Sequence, residues 1–506
     1  MRILNENVVA RGALACVAIM ILAACGQKEA VTNAPAATEQ TSAMASTVPY
    51  TTASEEARTL FNEGLALLDD LHFTDAHTKF LAAVQADPDF AMGHVLAANT
   101  SQSAEEFFAH VGHAKATAAG ASKGEQLYVQ ALVAASENDQ AAQGAALKQV
   151  VSAYPKDPRT HMALGNFLNG QQDFAGAVEH FRHATQVDPD FAPAFNSLGY
   201  GYRALDDLDK AQAAFEKYVA LLPNESNPHD SYAELLMEMG NYDESIKQYQ
   251  MAIDLDPHFL SAYAGISRNY SMMGEPENAL EAADKMLGAA RNFAERQNAM
   301  FQSVMSYVFA GNREAAMEVS NKMLMEAEEE RDRAAAGGIY NYMGDISLNV
   351  DDTEMAEGQY GQALEQMKQA NINDANKAQA NRNYLFKMAL SAIVAGDTEA
   401  AAARTQEYID AATENGTAFE RLRVHELSGY MAMTNDNMEK GVEHLAQANQ
   451  LNPQVLYWSA RAQESLGHKD KARDLATRAA KRNTLSQNLP FVRTEALEYI
   501  EKLDES

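Results

Sequence analysis

Three prolines at a constant spacing constrain this chain more than any other feature. Pro189, Pro223 and Pro257 lie 34 residues apart, and each follows the same order of small and aromatic residues. A fixed period of about 34 residues is typical of stacked helix pairs. Because one pair cannot bury its apolar face alone, its neighbours have to stack on it. The spacing therefore predicts an all-α fold, a right-handed superhelical solenoid of helix-turn-helix pairs.

The best copy of the repeat explains the spacing. A first helix over 159–169, a turn over 170–173 and a second helix over 174–186 are predicted before Pro189. Gly165 and Ala177 have little or no side chain, so the two helix axes can approach closely. Pro189 ends the second helix, because it lacks an N–H and disfavours helical geometry in the residue before it.

These positions resemble the motif of the tetratricopeptide repeat family. The clearest copies consist of Gly64, Leu67, Ala76, Phe80, Ala83 and Pro88; of Leu164, Gly165, Ala177, Phe181, Ala184 and Pro189; and of Leu198, Gly199, Tyr202, Ala211, Phe215 and Pro223. Weaker copies extend the resemblance over residues 55–485, about ten to twelve helix pairs by period. The resemblance implies a surface that holds other molecules, although the family binds many unrelated partners.

The regularity of the repeat suggests how the chain is organised. Residues 54–291 are predicted to form an N-terminal array and residues 292–485 a more divergent C-terminal array, because the pattern weakens around 292–335. Residues 486–506 are predicted to form a capping helix. Its Leu497, Ile500 and Leu503 would cover the last pair, and its charged side would face water, as the end of an array requires.

The N-terminus indicates export. Residues 1–24 have a basic start and a short apolar run from Ala13 to Ala24, the composition of a signal peptide. The run ends in Leu-Ala-Ala-Cys-Gly at 22–26, which resembles the lipobox of bacterial lipoproteins. This resemblance implies acylation of Cys25, and Gly26 after it points to the outer membrane, on its periplasmic or its exterior side. An ordinary secretory signal with an incidental Cys25 is the alternative.

Residues 25–53 are predicted to be a flexible tether. The stretch is rich in Ala, Thr, Ser and Pro and has almost no large apolar residues. Such a composition does not bury enough apolar surface to offset the entropy of ordering. The array would then be free to move above the membrane surface.

The charge excludes one class of partner. The formal net charge of −30 would repel nucleic acid and anionic lipid, so a membrane contact is expected only through the lipid anchor. A charge of this sign permits basic partners, but it is also the ordinary solvated surface of a helical repeat protein.

Sequence motifs for catalysis are weak. The chain has no HExxH, Walker, GxGxxG or EF-hand pattern. One GxSxG match, at 120–124, follows helical rather than strand sequence and is predicted to be a turn between helices. His110 with His113, and His180 with His183, have a spacing that can serve a metal ion, but packed or solvated histidines are favoured. We therefore expect no enzyme activity, no metal and no cofactor.

A binding surface, if present, is expected on the concave face, which first helices line. Projecting the repeat onto 159–268 predicts that the groove-facing residues are Arg159, Asn166, Asn169, Asn196, Tyr200, Arg203, Asp230, Glu234 and Arg268. Asn side chains can bond to an extended peptide backbone, and Arg side chains to carboxylates. Polar residues without a binding role are the alternative.

The sequence as a whole favours a lipid-anchored scaffold or adaptor that binds envelope proteins or their peptide segments. A lipoprotein that captures glycans or peptides for an outer-membrane transporter is the main alternative. It is ranked lower because such proteins carry large aromatic-rich insertions, whereas this chain has a single tryptophan, Trp458.

Overall fold

The computed structural model describes residues 47–505 apart from 71, 102–103, 138 and 483. This part of the chain consists of α-helices joined by short turns, which confirms the predicted all-α repeat fold. The helices are α1 Glu55–Asp69, α2 Phe73–Ala86, α3 Ala91–Thr100, α4 Ala104–Thr117, α5 Lys123–Ser136, α6 Gln140–Ala153, α7 Pro158–Gly170, α8 Phe174–Val187, α9 Ala192–Ala204, α10 Leu208–Leu221, α11 Ser226–Glu238, α12 Tyr242–Leu255, α13 Leu260–Met273, α14 Pro276–Ala289, α15 Phe293–Phe309, α16 Arg313–Glu329, α17 Arg333–Leu348, α18 Thr353–Gln369, α19 Asp374–Val394, α20 Thr398–Asn415, α21 Ala418–Thr434, α22 Met438–Leu445, α23 Pro453–Ser465, α24 Lys469–Lys481 and α25 Leu489–Glu505.

The described helices fall into two compact units. The first ends at Leu235 and the second begins at Leu236. Within the first unit, each odd-numbered helix from α1 to α9 packs against the helix that follows it, and within the second unit the same holds from α13 to α23. The sequence-based boundary at 291/292 does not coincide with this division. It marks the place where the helices become longer, from 14 residues in α14 to 17 in α15.

A constant local geometry builds each helix pair. A small residue of the first helix faces a large side chain sixteen positions later, on the second helix. A Cβ added to Gly165 would lie 2.5 Å from the Phe181 ring, and one added to Gly344 would lie 2.3 Å from the Tyr360 ring. These approaches leave no room for a side chain, which explains the small residues predicted at this position. Equivalent contacts join Gly64 to Phe80, Gly199 to Phe215 and Gly429 to Leu445.

The turn inside each pair also recurs at a fixed place. The residue seven positions after the small one has a left-handed backbone, with φ of 61° at Gln172, 66° at Asp206, 82° at Gly240 and 78° at Gly274. Glycine adopts this conformation without steric cost, whereas other residues are strained there. The conformation of the turn therefore repeats every 34 residues, as the helices do.

The end of the predicted tether is packed on the first unit. The Val48 side chain is only 4% exposed and lies among Leu127, Val150 and Tyr154. The prediction of a flexible segment is therefore wrong for residues 47–53. The prediction relied on amino-acid composition. This stretch is held mainly by hydrogen bonds of its main-chain groups, which every sequence has whatever its composition. Residues 1–46, including the predicted signal peptide and Cys25, lie outside the described residues.

Candidate functional site

First helices line one face of each unit. In the first unit α3 contacts α5 and α7 contacts α9, and in the second α13 contacts α15 and α19 contacts α21. Contacts of this kind do not involve the second helix of each pair, so these first helices lie side by side in a layer. We call this layer the inner face. The groove-facing residues predicted from sequence lie on these first helices.

The structure buries the predicted groove residues more than a solvated groove would require. Asn196, Arg203, Asp230 and Arg268 are each less than 8% exposed. The others are half-buried, namely Arg159, Asn166, Asn169, Tyr200 and Glu234. Their role in binding a partner stays a prediction, but they also serve the packing between first helices.

Three of these residues meet in one polar network of the first unit. The Tyr200 hydroxyl of α9 donates to Glu234 Oε2 of α11 at 3.1 Å and lies 3.2 Å from Ser231 Oγ. Arg203 Nη1 donates to the same Glu234 oxygen at 3.1 Å. Burial raises the pKa of Tyr200 well above its ordinary value, so this hydroxyl stays a donor. The network ties α9 to α11 as a buried, charge-assisted link.

Two predicted residues lie apart from this network. Arg159 of α7 forms an ion pair with Asp69 at the end of α1 and stacks over the Phe191 ring at 5.1 Å. Arg268 of α13, in the second unit, donates from Nε to Gln302 Oε1 of α15 at 3.4 Å. Arg159 therefore joins helices that are three pairs apart in the chain, whereas Arg268 joins neighbouring first helices.

An extended segment of the chain itself occupies a site that the sequence did not reveal. In the segment 47–54, the Val48 N–H donates to Asp157 Oδ2 at 2.9 Å and the Thr51 N–H to Glu125 Oε1 at 2.9 Å. The Pro49 carbonyl accepts from the Ser122 hydroxyl at 2.8 Å. The partners are side chains at the starts of α5 and α7, 73 to 109 residues further along the chain. We call this arrangement the segment site.

Shape as well as hydrogen bonding defines the segment site. Gly124 faces Val48, and a Cβ at this position would lie 2.7 Å from Val48 Cγ1. The Tyr50 ring packs edge-on against Phe61 at 4.8 Å, and Arg58 donates to the carbonyls of Tyr50 and Thr52. Burial raises the pKa of Tyr50 to about 12. The segment is therefore held by both its backbone and two apolar side chains.

One signal for this site was present in the sequence. Ser122 and Glu125 form a capping box at the start of α5, which their spacing predicts. This placement confirms that the GxSxG match at 120–124 is a turn between helices. The partner segment carries no comparable pattern, since a backbone-bound stretch needs only a few suitable side chains.

The C-terminal helix covers part of the inner face of the second unit. α25 packs on α24 and α23 and also reaches α15. Its Phe491 ring lies 5.6 Å from the Tyr342 ring of α17, and Arg493 Nη2 donates to the Met272 carbonyl of α13 at 3.0 Å. The predicted capping helix thus contacts both the last and the first helices of its unit. The inner face of the first unit is therefore contacted by the segment 47–54, and the inner face of the second unit by α25.

The described residues contain neither a candidate membrane span nor a cluster of three or more metal-ligating side chains. In the part of the chain that the structure describes, no helix has both the length and the hydropathy that a bilayer crossing requires. In the same residues, no set of three or more His, Cys, Asp or Glu side chains is arranged to hold a metal ion.

Comparison with known proteins agrees with the repeat fold. The model of a family described as the protein kinase G tetratricopeptide repeat matches residues 114–335, somewhat less than half of the chain. This match covers α5 to α16, which include two of the three clearest copies of the motif, those that end at Pro189 and Pro223. The chain therefore carries tetratricopeptide repeats in this region.

Individual relatives match over short stretches. Protein O-mannosyl-transferase TMTC3 of Mus musculus is 29% identical over 26% of this chain and 16% of its own length. Cellulose synthase operon protein C of Xanthomonas axonopodis pv. citri is 30% identical over 31% of this chain and 11% of its own length. A solved tetratricopeptide repeat protein of Parabacteroides merdae is 15% identical, covers 52% of this chain and 98% of its own, and has a TM-score of 0.39. The chain thus spans less than a fifth of the two curated relatives.

Proposed function

We propose that this protein is a lipid-anchored, non-catalytic scaffold of the bacterial envelope that holds segments of partner proteins. Repeat arrays generally use extended surfaces built from successive units to bind other proteins. The observation that carries the proposal is the segment site. There the array already holds an extended stretch of polypeptide through main-chain bonds and a side-chain pocket.

The segment site fits a defined kind of partner. Both side chains that accept from the bound N–H groups are carboxylates, and the pocket between Gly124 and Tyr154 accommodates one branched apolar side chain. A partner segment would therefore be extended and uncharged, with a small branched residue, and would carry no acidic group next to Asp157. Recognition of backbone groups plus one pocket is a common mode of peptide binding.

A peptide competition experiment tests this proposal on the full chain. Val48→Asp places a carboxylate beside Asp157 and Glu125, and should release the native segment. A fluorescent peptide of residues 44–55 should then bind this variant at least tenfold more tightly than wild type. In wild type the tethered segment competes at an effective concentration on the order of millimolar.

Two matched controls make the result specific. A peptide that carries the same Val48→Asp change should not bind, and Gly124→Val in the variant protein should abolish binding because the new side chain fills the pocket. Circular dichroism checks that each variant is folded. If no peptide binds a folded, released variant, the segment site is only part of the fold and the scaffold proposal loses its main support.

The lipid anchor is a separate part of the proposal. The lipobox-like sequence at 22–26 supports acylation of Cys25, and Gly26 supports sorting to the outer membrane. Labelled palmitate should be incorporated into wild type but not into Cys25→Ala, which should leave the membrane fraction. Equal labelling of both would contradict the anchor.

Crosslinking in intact envelopes separates the scaffold from the alternative of ligand capture. The Val48→Asp variant, in which the site is open, and the same variant with Gly124→Val should recover different protein partners if the segment site takes part in binding. Co-purification of a glycan without any protein partner would instead favour the capture lipoprotein.

A further inference from the structure

Histidines are concentrated in clusters on the helix pairs. Of the 13 histidines in the chain, eight lie in three groups, each joining a first helix to the following second helix. The groups are His94 with His110 and His113, His161 with His180 and His183, and His425 with His444. The repeat motif itself requires no histidine at these positions, so the clustering needs its own explanation.

The first two groups share a geometry. His94 Nδ1 lies 3.0 Å from His110 Nδ1, and His161 Nδ1 lies 3.2 Å from His180 Nδ1. Two nitrogens that bind one zinc ion, each at about 2.0–2.1 Å with an angle between 90° and 109°, are about 3 Å apart. The paired nitrogens are therefore already at the separation that a shared metal ion would require.

A backbone carbonyl orients the first ring of each pair. His94 Nε2 donates to the Pro88 carbonyl at 3.0 Å, and His161 Nε2 donates to the Pro155 carbonyl at 3.1 Å. This bond places the proton on Nε2 and leaves the Nδ1 lone pair facing the partner histidine. Metal-binding histidines commonly have their other ring nitrogen held in this way.

A third imidazole stands beside each pair. The His113 ring is stacked on His94 with centroids 5.0 Å apart, and the His183 ring lies 5.3 Å from His161. Neither third ring completes a ligand set as it stands, since no group of three is arranged for metal binding in the described residues. Each pair would thus supply two nitrogens and leave the remaining positions to water.

We propose that the pairs His94–His110 and His161–His180 are binding sites for a divalent transition-metal ion of the kind that prefers imidazole. Without metal, the second ring of each pair donates its Nδ1 proton to the first. On binding, this proton moves to Nε2 of the same ring, so that both Nδ1 lone pairs face the ion. Zn²⁺, Cu²⁺ and Ni²⁺ suit such ligands, whereas Mg²⁺ and Ca²⁺ prefer oxygen.

The surroundings support the neutral, metal-binding form of the rings. Burial lowers the pKa of His94, His110, His161 and His180 below the ordinary value, so these imidazoles carry little charge at neutral pH. Carboxylates nearby, including Asp87, Asp89, Glu106, Asp157 and Glu179, would offset the charge of a bound cation. His77, His113, His183 and Lys148 are the basic groups that face the pairs.

Equilibrium dialysis against Zn²⁺ with metal analysis tests the proposal. The untagged full chain is used with Cys16→Ser and Cys25→Ala in every sample, so that no thiol competes for the metal. Two equivalents should bind at neutral pH. His94→Gln and His161→Gln should each lose one, and the double variant should lose both, whereas Ca²⁺ should not bind at these sites.

Matched variants separate the sites from surface histidines. His72→Gln with His258→Gln, outside the clusters, should still bind two equivalents. So should His425→Gln, because in the described residues no backbone carbonyl orients the rings of that pair, whose Nδ1 atoms lie 3.3 Å apart. His94 and His161 are buried, so their variants can misfold. If circular dichroism shows misfolding, His110→Gln and His180→Gln, which change the half-buried partner of each pair, are used instead. Two equivalents retained in a folded double variant would overturn the proposal.

Discussion

Two regions of the molecule solve the same packing problem with helices of different length. Helices α7 to α14 have 13 or 14 residues each, whereas α15 to α21 have 16 to 21. We call the first set the regular region and the second the long-helix region. Left-handed turn residues are 34 apart in the regular region (172, 206, 240, 274), but 40 to 45 apart at 311, 351, 396 and 436.

The core of each pair nevertheless stays the same. Gly165, the turn residue Gln172 and Phe181 are separated by seven and nine positions, and so are Gly344, Asp351 and Tyr360. The additional residues of the long-helix region are therefore added at the helix ends far from the turn. This explains why the 34-residue motif fades after residue 292 although the helices continue to pair.

The side-chain volumes at the two facing core positions of a pair, one on each helix, also compensate each other. Where the first-helix residue is glycine, the second-helix residue is Phe, Tyr or Leu, whereas Val304 of α15 is matched in position by Ser320 of α16. Ser267, at the glycine position of α13, is fully buried and bonds to Ser306 Oγ at 3.0 Å. Close packing therefore limits the summed volume of the two side chains rather than the identity of either residue.

The largest expected effect compares the buried ion pairs of the two regions. In the long-helix region Arg382 donates two hydrogen bonds to the Glu420 carboxylate, from Nε to Oε1 at 2.8 Å and from Nη2 to Oε2 at 3.2 Å. Arg382→Met removes the charged partner of this buried carboxylate and leaves it the Thr417 N–H at 2.7 Å, which should cost about 3 kcal/mol of unfolding free energy. Arg203→Met, which removes one partner of Glu234 in the regular region, should cost less, because the Glu234 side chain is 12% exposed against 4% for Glu420 and still accepts from the Tyr200 hydroxyl. Urea denaturation measures both.

A surface pair provides the control for this comparison. Arg291 pairs with Glu295 while 58% of its side chain is exposed, so Arg291→Met should leave the stability nearly unchanged, because water screens the pair. Equal losses for all three variants would mean that burial does not decide the value of these pairs.

The glycine contacts test whether both regions obey one packing rule. Gly199→Val and Gly344→Val each force a side chain into an aromatic ring, and each should destabilise by about 1–3 kcal/mol. Tyr360→Ser should partly rescue Gly344→Val, since that combination reproduces the Val304 and Ser320 arrangement. Gly358→Ala is the control, because a Cβ there has no neighbour within 4 Å. A loss in one region alone would contradict the common core.

Acidification should weaken the histidine-rich pairs of the first unit. Burial lowers the pKa of His94 and His161 below the ordinary value of 6.5, so the unfolded chain binds more protons as the pH falls through that value. Stability is therefore present above this value and lost below it. With chelator present, amide protection factors corrected for the intrinsic exchange rate at each pH should fall more in α3 to α8 than in α23 and α24 between about pH 7.5 and 5.5. His94→Gln with His161→Gln should flatten the response.

The smallest effect concerns the turn. Gln172→Gly and Asp351→Gly each relieve a left-handed backbone and should stabilise by about 0.5–1 kcal/mol, the first in the regular region and the second in the long-helix region. Gly240→Ala, with φ of 82°, should destabilise by about the same amount. Thermal unfolding can compare the three. If Gly240→Ala is neutral, the turn conformation is not what limits these positions.

Much of the pair geometry was predictable because it is local. The glycine, the turn and the aromatic residue lie within sixteen positions, so the close approach of the two helices at Gly165 was predictable, whereas its contact with Phe181 came from the structure. The predicted groove was only partly informative. Tyr200, Arg203 and Glu234 do lie on first helices, but whether they face solvent depends on the neighbouring helix, and there they form a buried network instead.

By itself the sequence determined the fold class, the helix pairs and the motif that resembles a lipobox, because each depends on neighbours along the chain. Only the tertiary structure decided that the segment 47–54 binds side chains 73 to 109 residues away, that α25 reaches α13, and that His94 meets His110. These contacts join residues on different helices. Their distances follow from how the pairs stack, which is the sum of many small packing contacts and leaves no short pattern in the chain.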